Sequence, residues 1–291
     1  MLFTMKDAEN LSGIKDHTIR AWEKRYSILN PHRSLTNIRY YDSLEIKTIL
    51  NIALLNKYGH KISAIAKMPG HRINTEINSI SEKSDIIINE LIHKIIDADI
   101  AGFDSLLQTH TNSEGLQTTV LKILSPIVEK SETIWQLKNI NPALKHWVCF
   151  IIKQKIFAAL EKIKNTDNKN AKCACLFLPT GANNDIGLLL MSYLLKSIGF
   201  NIIYLGHDVA IPEVEFICKT KKPDFLYIHL SATGIKFKFN KLITDVEKYF
   251  NNKHVIISGK VPQSYHRKSL SKIIFKRSVK DSFQFIESSK L

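Results

Sequence analysis

The chain has 291 residues, enough for two or three domains, with 44% hydrophobic and 23% charged residues, the ordinary make-up of a folded soluble protein. Forty-one Lys and Arg face twenty-seven Asp and Glu, a net charge of +14 and a pI near 9.5, which points to nucleic acid or another anionic surface as partner. No apolar run is long enough to span a membrane, the start MLFTMKDAEN lacks the apolar core of a signal peptide, and four irregularly spaced cysteines make no disulfide framework, so a reducing cytoplasm is the expected setting.

Residues 1–72 carry twelve Lys and Arg against six Asp and Glu, +6 of the total. A short helix is predicted over 5–11, then a tight turn at Ser12-Gly13-Ile14. Asp16 is expected to cap a second helix running from His17 to Arg25. A short helix, a glycine turn and a polar-faced second helix form a helix-turn-helix pattern. Ile19 and Trp22 lean toward the core of that helix, while His17, Thr18 and Arg20 lie near its start, where base edges are reached. Arg25 and Tyr26 close it within reach of phosphate. The stretch 31–41, with Arg33, Asn37, Arg39 and Tyr40, reads as a β-hairpin wing lying along the DNA backbone. Helices over 43–58 and from Ile62 complete this first region.

Residues 76–165 show helical periodicity only. Apolar positions recur at Ile86, Ile87, Leu91, Ile92, Ile95 and Ile96, at Phe103, Leu106 and Leu107, and at Val120, Leu121, Leu124, Ile127 and Val128. Asn141-Pro142 supplies an N-cap and a first-turn proline for a further helix carrying Trp147, Phe150, Ile151, Ile156, Phe157 and Leu160. Four helices with short connections imply an antiparallel bundle. After the polar stretch 164–172 the rhythm changes. Apolar runs at 173–178, 201–206, 225–230 and 254–258 alternate with helical segments near 184–198, 212–221 and 239–250, and two more helices are expected near the C-terminus. Alternation at this spacing predicts a doubly wound parallel sheet over 171–291. Cys173 and Cys175 fall on one face of the first strand and read as small buried hydrophobes rather than a metal pair.

The text LSGIKDHTIRAWEKRYSILNPHRSLTNIRYYD resembles the MerR family over residues 3–67: SGI, then HTIR, then WE-RY, then an R…RYY wing, in that order. The resemblance implies a dimeric regulator on a pseudo-palindromic operator in double-stranded DNA. It assigns DNA contacts to Thr18, Arg20, Arg25, Arg33, Arg39 and Tyr40, to which the pattern adds His17, Trp22 and Asn37.

Residues 176–216, beginning LFLPTGANNDIGLLL, resemble the flavodoxin-like cobalamin-binding domain of corrinoid methyltransferases and light-sensing MerR-type regulators. The bundle then corresponds to the helical cap of those proteins. In that family a D/E-x-H-x-x-G loop supplies the lower cobalt ligand. Here Gly187 matches the glycine, while Ala182 stands at the acidic position and Asn184 at the histidine. The tail-pocket serine matches Ser231, the paired glycines read Ser258-Gly259, and the cap motif reads Trp135, Lys145 and His146. Imidazole suits cobalt and a neutral amide does not replace it.

Trp135 and His146 fit either contact with the upper corrin face or, equally, a core aromatic and a helix-surface histidine. His207 reads as a solvated strand-end residue, and His229 as a satisfied core histidine. The expectation is a regulator whose C-terminal module senses or assembles, as homodimer or tetramer, without His-ligated cobalamin. The alternative is a cobalamin-dependent, light-responsive repressor. Catalysis is not expected: the sequence offers no zinc-thiolate set, phosphate loop, carboxylate pair or nucleophile with a base.

Overall fold

In the computed structural model, residues 2–135, 141–163, 171–231, 237–263 and 272–289 are described. The chain divides into two compact units, residues 1–148 and 149–291.

The first unit opens with β1 (Leu2–Thr4), α1 (Met5–Ser12) and α2 (Asp16–Tyr26). A hairpin of β2 (His32–Arg33) and β3 (Arg39–Asp42) follows, then α3 (Ser43–Lys57) and α4 (Ile62–Ile65). β3 lies in the middle of a three-stranded antiparallel sheet, between β1 and β2. Two of these helix starts have a local cause. Thr4 and Asp7 form a reciprocal capping box on α1, and Asp42 and Glu45 another on α3. Gly13, at φ 74°, ends α1 in the left-handed conformation that glycine adopts without strain. The cap of α2 is Lys15 rather than Asp16, which is instead the first helical residue and accepts the His17 N–H at 2.6 Å.

Helices α5 (Gly70–Ser79), α6 (Lys83–Ile96), α7 (Ile100–Glu114) and α8 (Leu116–Thr119) come next. α8 runs through one π-helical turn at Val120–Leu124 into α9 (Ser125–Trp135). The seam between head and helices is both apolar and polar. Trp22, Ile52, Leu54, Leu55, Ile65, Ile77, Ile80 and Ile86 form one buried cluster. Along α3 and α6, Asn89 Nδ2 donates to Asn51 Oδ1 at 2.7 Å, Lys47 pairs with Asp97 at 2.8 Å, and Lys57 and the Tyr58 hydroxyl both reach Asp85.

α10 (Pro142–Lys162) runs from the first unit into the second, with Asn141 Oδ1 accepting the Ala143 N–H at its start. Three aromatics on it face outward: Trp147, Phe150 and Phe157 are 58%, 61% and 50% exposed. Apolar residues surround this helix, so periodicity does not choose the buried side. Val148, Ile151, Ile152 and Ile156 are the ones that pack.

The second unit contains β4 (Cys173–Pro179), α11 (Ile186–Ser197), β5 (Asn201–Val209), α12 (Ile211–Lys221) and β6 (Phe225–His229). It ends with α13 (Phe239–Tyr249), β7 (His254–Ser258), α14 (Lys260–Gln263), β8 (Ile273–Lys276) and α15 (Val279–Ser288). The strands are parallel in the order β5-β4-β6-β7-β8. α11 packs with α15 and α12 with α13, the sharing of helices expected of a doubly wound sheet. The order places a topological switch between β4 and β6, so a ligand crevice is expected beyond their C-terminal ends. β8 was not anticipated, being only four residues long. Most of the polar stretch 164–172 lies outside the described residues.

Candidate nucleic-acid interface and the sheet-edge pocket

The head is built around an acid. Glu23, on α2, pairs through Oε2 with Arg39 Nε at 2.7 Å, and its Oε1 accepts the hydroxyl of Tyr41. Arg39 and Tyr41 are alternate residues of β3 and so share a face. Tyr41 is fully buried, and burial together with the Glu23 carboxylate drives its phenol well above the usual range. One carboxylate thus fixes the wing strand to the second helix of the helix-turn-helix. Around it lies a groove of about 590 Å³ whose lining includes Arg20, Lys24, Asn30, Arg33 and Arg39.

The expected contact residues divide by exposure. His17, Arg20, Arg25, Arg33 and Asn37 are exposed, and Thr18 and Tyr40 half-buried. Arg20 makes only an exposed pair with Asp16 at 3.4 Å, too weak to hold it from a phosphate or base. Arg33 Nη1 donates to Asn37 Oδ1 at 2.7 Å across the wing turn, where Asn37 takes a left-handed φ of 59°. Trp22 is a correction: at 5% exposure it belongs to the core cluster and is not available to DNA. Tyr26 likewise packs against that cluster. Arg39 lines the groove but its Nε is committed to Glu23. Glu23 and Lys24 are the residues sequence reading passed over. An acid within the basic run WEKR is the signal that could have flagged Glu23.

In the second unit, the loops after β4 and β6 meet at the switch point. Asn184 Nδ2 donates to Ser231 Oγ at 3.1 Å. The neighbouring Asp185 is buried, pairs with Lys153 Nζ of α10 at 2.6 Å, and accepts the Tyr204 hydroxyl at 3.2 Å. Beneath them is a buried polar net. Ser258 Oγ lies 2.7 Å from Tyr227 OH and 2.8 Å from His229 Nδ1. His229 is only half satisfied, contrary to expectation: its Nε2 is buried without a hydrogen-bond partner among the described residues. Burial lowers its pKa to about 4. The ring lies directly on Gly187, where an added Cβ would meet His229 Cδ2 at 2.1 Å and Nε2 at 2.5 Å. Gly259, at φ +105°, is pressed against the Leu230 carbonyl, 2.4 Å from where a Cβ would stand. The residues of the cap motif belong to the other unit: Trp135 is half-buried on α9 and His146 exposed on α10. His207 is exposed at the end of β5, as expected. No group of three or more His, Cys, Asp or Glu able to hold a metal occurs among the described residues. Nor is any described helix long and apolar enough to cross a membrane.

Residues 3–69 match the family profile described as MerR HTH family regulatory protein. The head is a MerR-type regulatory domain. Similarity continues beyond it into the body of the chain. The HTH-type transcriptional repressor CarA of Myxococcus xanthus is 21% identical over 265 residues, 89% of this chain and 87% of the relative. The repressor CarH of the same organism is also 21% identical, over 81% of each chain. In structure, the Methanosarcina barkeri monomethylamine corrinoid protein superposes with a TM-score of 0.51 at 16% identity, covering 70% of this chain and 98% of that one. The chain therefore joins a MerR-type head to a body with the fold of a corrinoid protein.

Proposed function

We propose that the protein is a DNA-binding transcription regulator of the MerR type whose corrinoid-fold body has lost His-ligated cobalamin and serves sensing or assembly. The basic groove between α2 and the wing, set by Glu23, carries the DNA-binding part of the reading. Arg20 faces a base edge from the second helix, while Arg33 and Tyr40 hold phosphates from the wing. A helix-turn-helix of this kind meets one half-site, so a pseudo-palindromic operator requires a homodimer or a tetramer. Selection of bound sites from random duplex DNA, then footprinting, tests it. Recovery of paired half-sites protected by wild type and lost in Arg20→Ala is expected.

Cobalamin does not fit the residues at the C-terminal ends of β4 and β6 in the usual way. An axial ligand needs a free imidazole at position 184, and the chain supplies an amide engaged with Ser231. The second reading, a cobalamin-dependent repressor, draws on the two repressor relatives that align along most of the chain. A stoichiometric corrin absorption band surviving gel filtration, after incubation with adenosylcobalamin, decides for that reading; its absence decides for the first.

A further inference from the structure

We infer that the His229 imidazole is a built-in occupant of the slot that Gly187 leaves open between α11 and the C-terminal ends of β6 and β7, closing that slot to any flat nitrogen heterocycle from outside. The inference rests on the proposed loss of His-ligated cobalamin and adds its physical counterpart: besides a missing ligand, there is no room.

Three observations converge on the slot. First, Gly187 lies in the first turn of a twelve-residue helix, where glycine costs stability and where its missing Cβ is the space the ring uses. Second, the ring is clamped by its other nitrogen. Nδ1 lies 2.8 Å from Ser258 Oγ, which also lies 2.7 Å from Tyr227 OH. Third, the other ring nitrogen, Nε2, lies against Gly187, buried and without a partner among the described residues. A buried, unpaired ring nitrogen is costly and is kept only where something offsets it. Here filling the slot does so, since an empty cavity of ring size is itself destabilising.

The occupant is an imidazole, so the ligands excluded are its chemical class: imidazole, benzimidazole, and the benzimidazole base pendant from a complete cobalamin. His229→Gly should convert the plug into a binding site. Full-length His229→Gly is expected to bind free imidazole, the ring it has lost, at least ten-fold more tightly than wild type by titration calorimetry. It should also gain several degrees of melting temperature from the ligand, while wild type gains none. Equal binding by both, or by neither when the variant is folded by circular dichroism, overturns the inference.

A folding readout covers the case where the variant does not fold alone. Gly187→Ala in wild type drives a methyl into the ring and should lower the melting temperature by roughly 5–10 °C. In His229→Gly the same change fills part of the slot and should raise it. Additive effects overturn the inference. A wild-type protein that retains cobalamin instead refutes the proposed loss of corrin. Absence of cobalamin together with additive melting shifts refutes the plug alone.

Discussion

The head and the sheet domain both carry a family's residue pattern, and they keep it in different ways. In the head the pattern is complete and its charged residues are organised by one acid, Glu23, which the pattern contains without advertising its role. In the sheet domain the glycine survives at 187 and the serine at 231, but the cobalt ligand does not, and the space under the glycine belongs to His229. A surviving motif residue therefore says that a shape has been kept. Whether the chemistry has been kept depends on the groups that the shape now holds.

The largest expected effect falls on the centre of each region. Glu23→Ala leaves the buried Tyr41 hydroxyl without its acceptor and Arg39 without its partner. It should cost about 2–4 kcal/mol of stability, read by urea unfolding, and weaken operator binding as the wing comes loose. The matching change in the sheet domain, Ser258→Ala, removes the hydroxyl that Tyr227 and His229 share and should cost about 1–3 kcal/mol without changing DNA affinity in the isolated operator assay. If both variants weaken DNA binding equally, the two regions do not divide the labour as described.

Acid distinguishes the regions less than it unites them. Burial holds His229 near pKa 4, and burial with the nearby Lys47 charge holds His93 near 4 as well, against about 6.5 for a free imidazole. The unfolded chain takes up these protons first. Their contribution to stability is therefore complete above about pH 6.5 and is lost as the pH falls toward 4. Hydrogen exchange followed peptide by peptide should show β6 and α6 both opening in this window. In His229→Asn the change at β6 should vanish while that at α6 remains.

Within the interface the effects are smaller and differ in kind. Arg20→Ala should cost about 1–3 kcal/mol of binding and relax preference at one base position. Arg33→Ala should weaken all sequences alike and reduce the salt slope by about one. Arg39→Ala should do what Arg33→Ala does and also lower the melting temperature, because its guanidinium holds the wing to α2 as well as facing the groove.

How much of this was legible follows from where each signal lies. Helices α1 to α3, the wing, and strands β4 to β7 are local patterns, and reading them needs no partner. Apart from the α2 cap and the short β8, the misreadings are tertiary. Trp22 could be read both as a core residue and as a DNA contact, because what buries it, Ile52, Ile65 and Ile77, lies far along the chain. The aromatic residues of α10 could not be sorted, because apolar residues line more than one of its sides. Glu23 meets partners sixteen and eighteen residues away, and His229 meets Gly187 across forty-two, so neither contact has a spacing to betray it.

The smallest effect is the most informative about the sheet domain. Asn184→His restores the residue that the motif asks for, and it should restore nothing. The new imidazole would lose the Asn184–Ser231 hydrogen bond, while His229 would still fill the slot at Gly187. Visible absorbance after gel filtration with hydroxocobalamin should therefore match wild type for Asn184→His. If the single change yields a stoichiometric corrin band, the missing ligand was the whole of the defect and the slot was never closed. If the band needs Asn184→His and His229→Gly together, ligand and space were lost as separate steps, and the domain's glycine records the older shape.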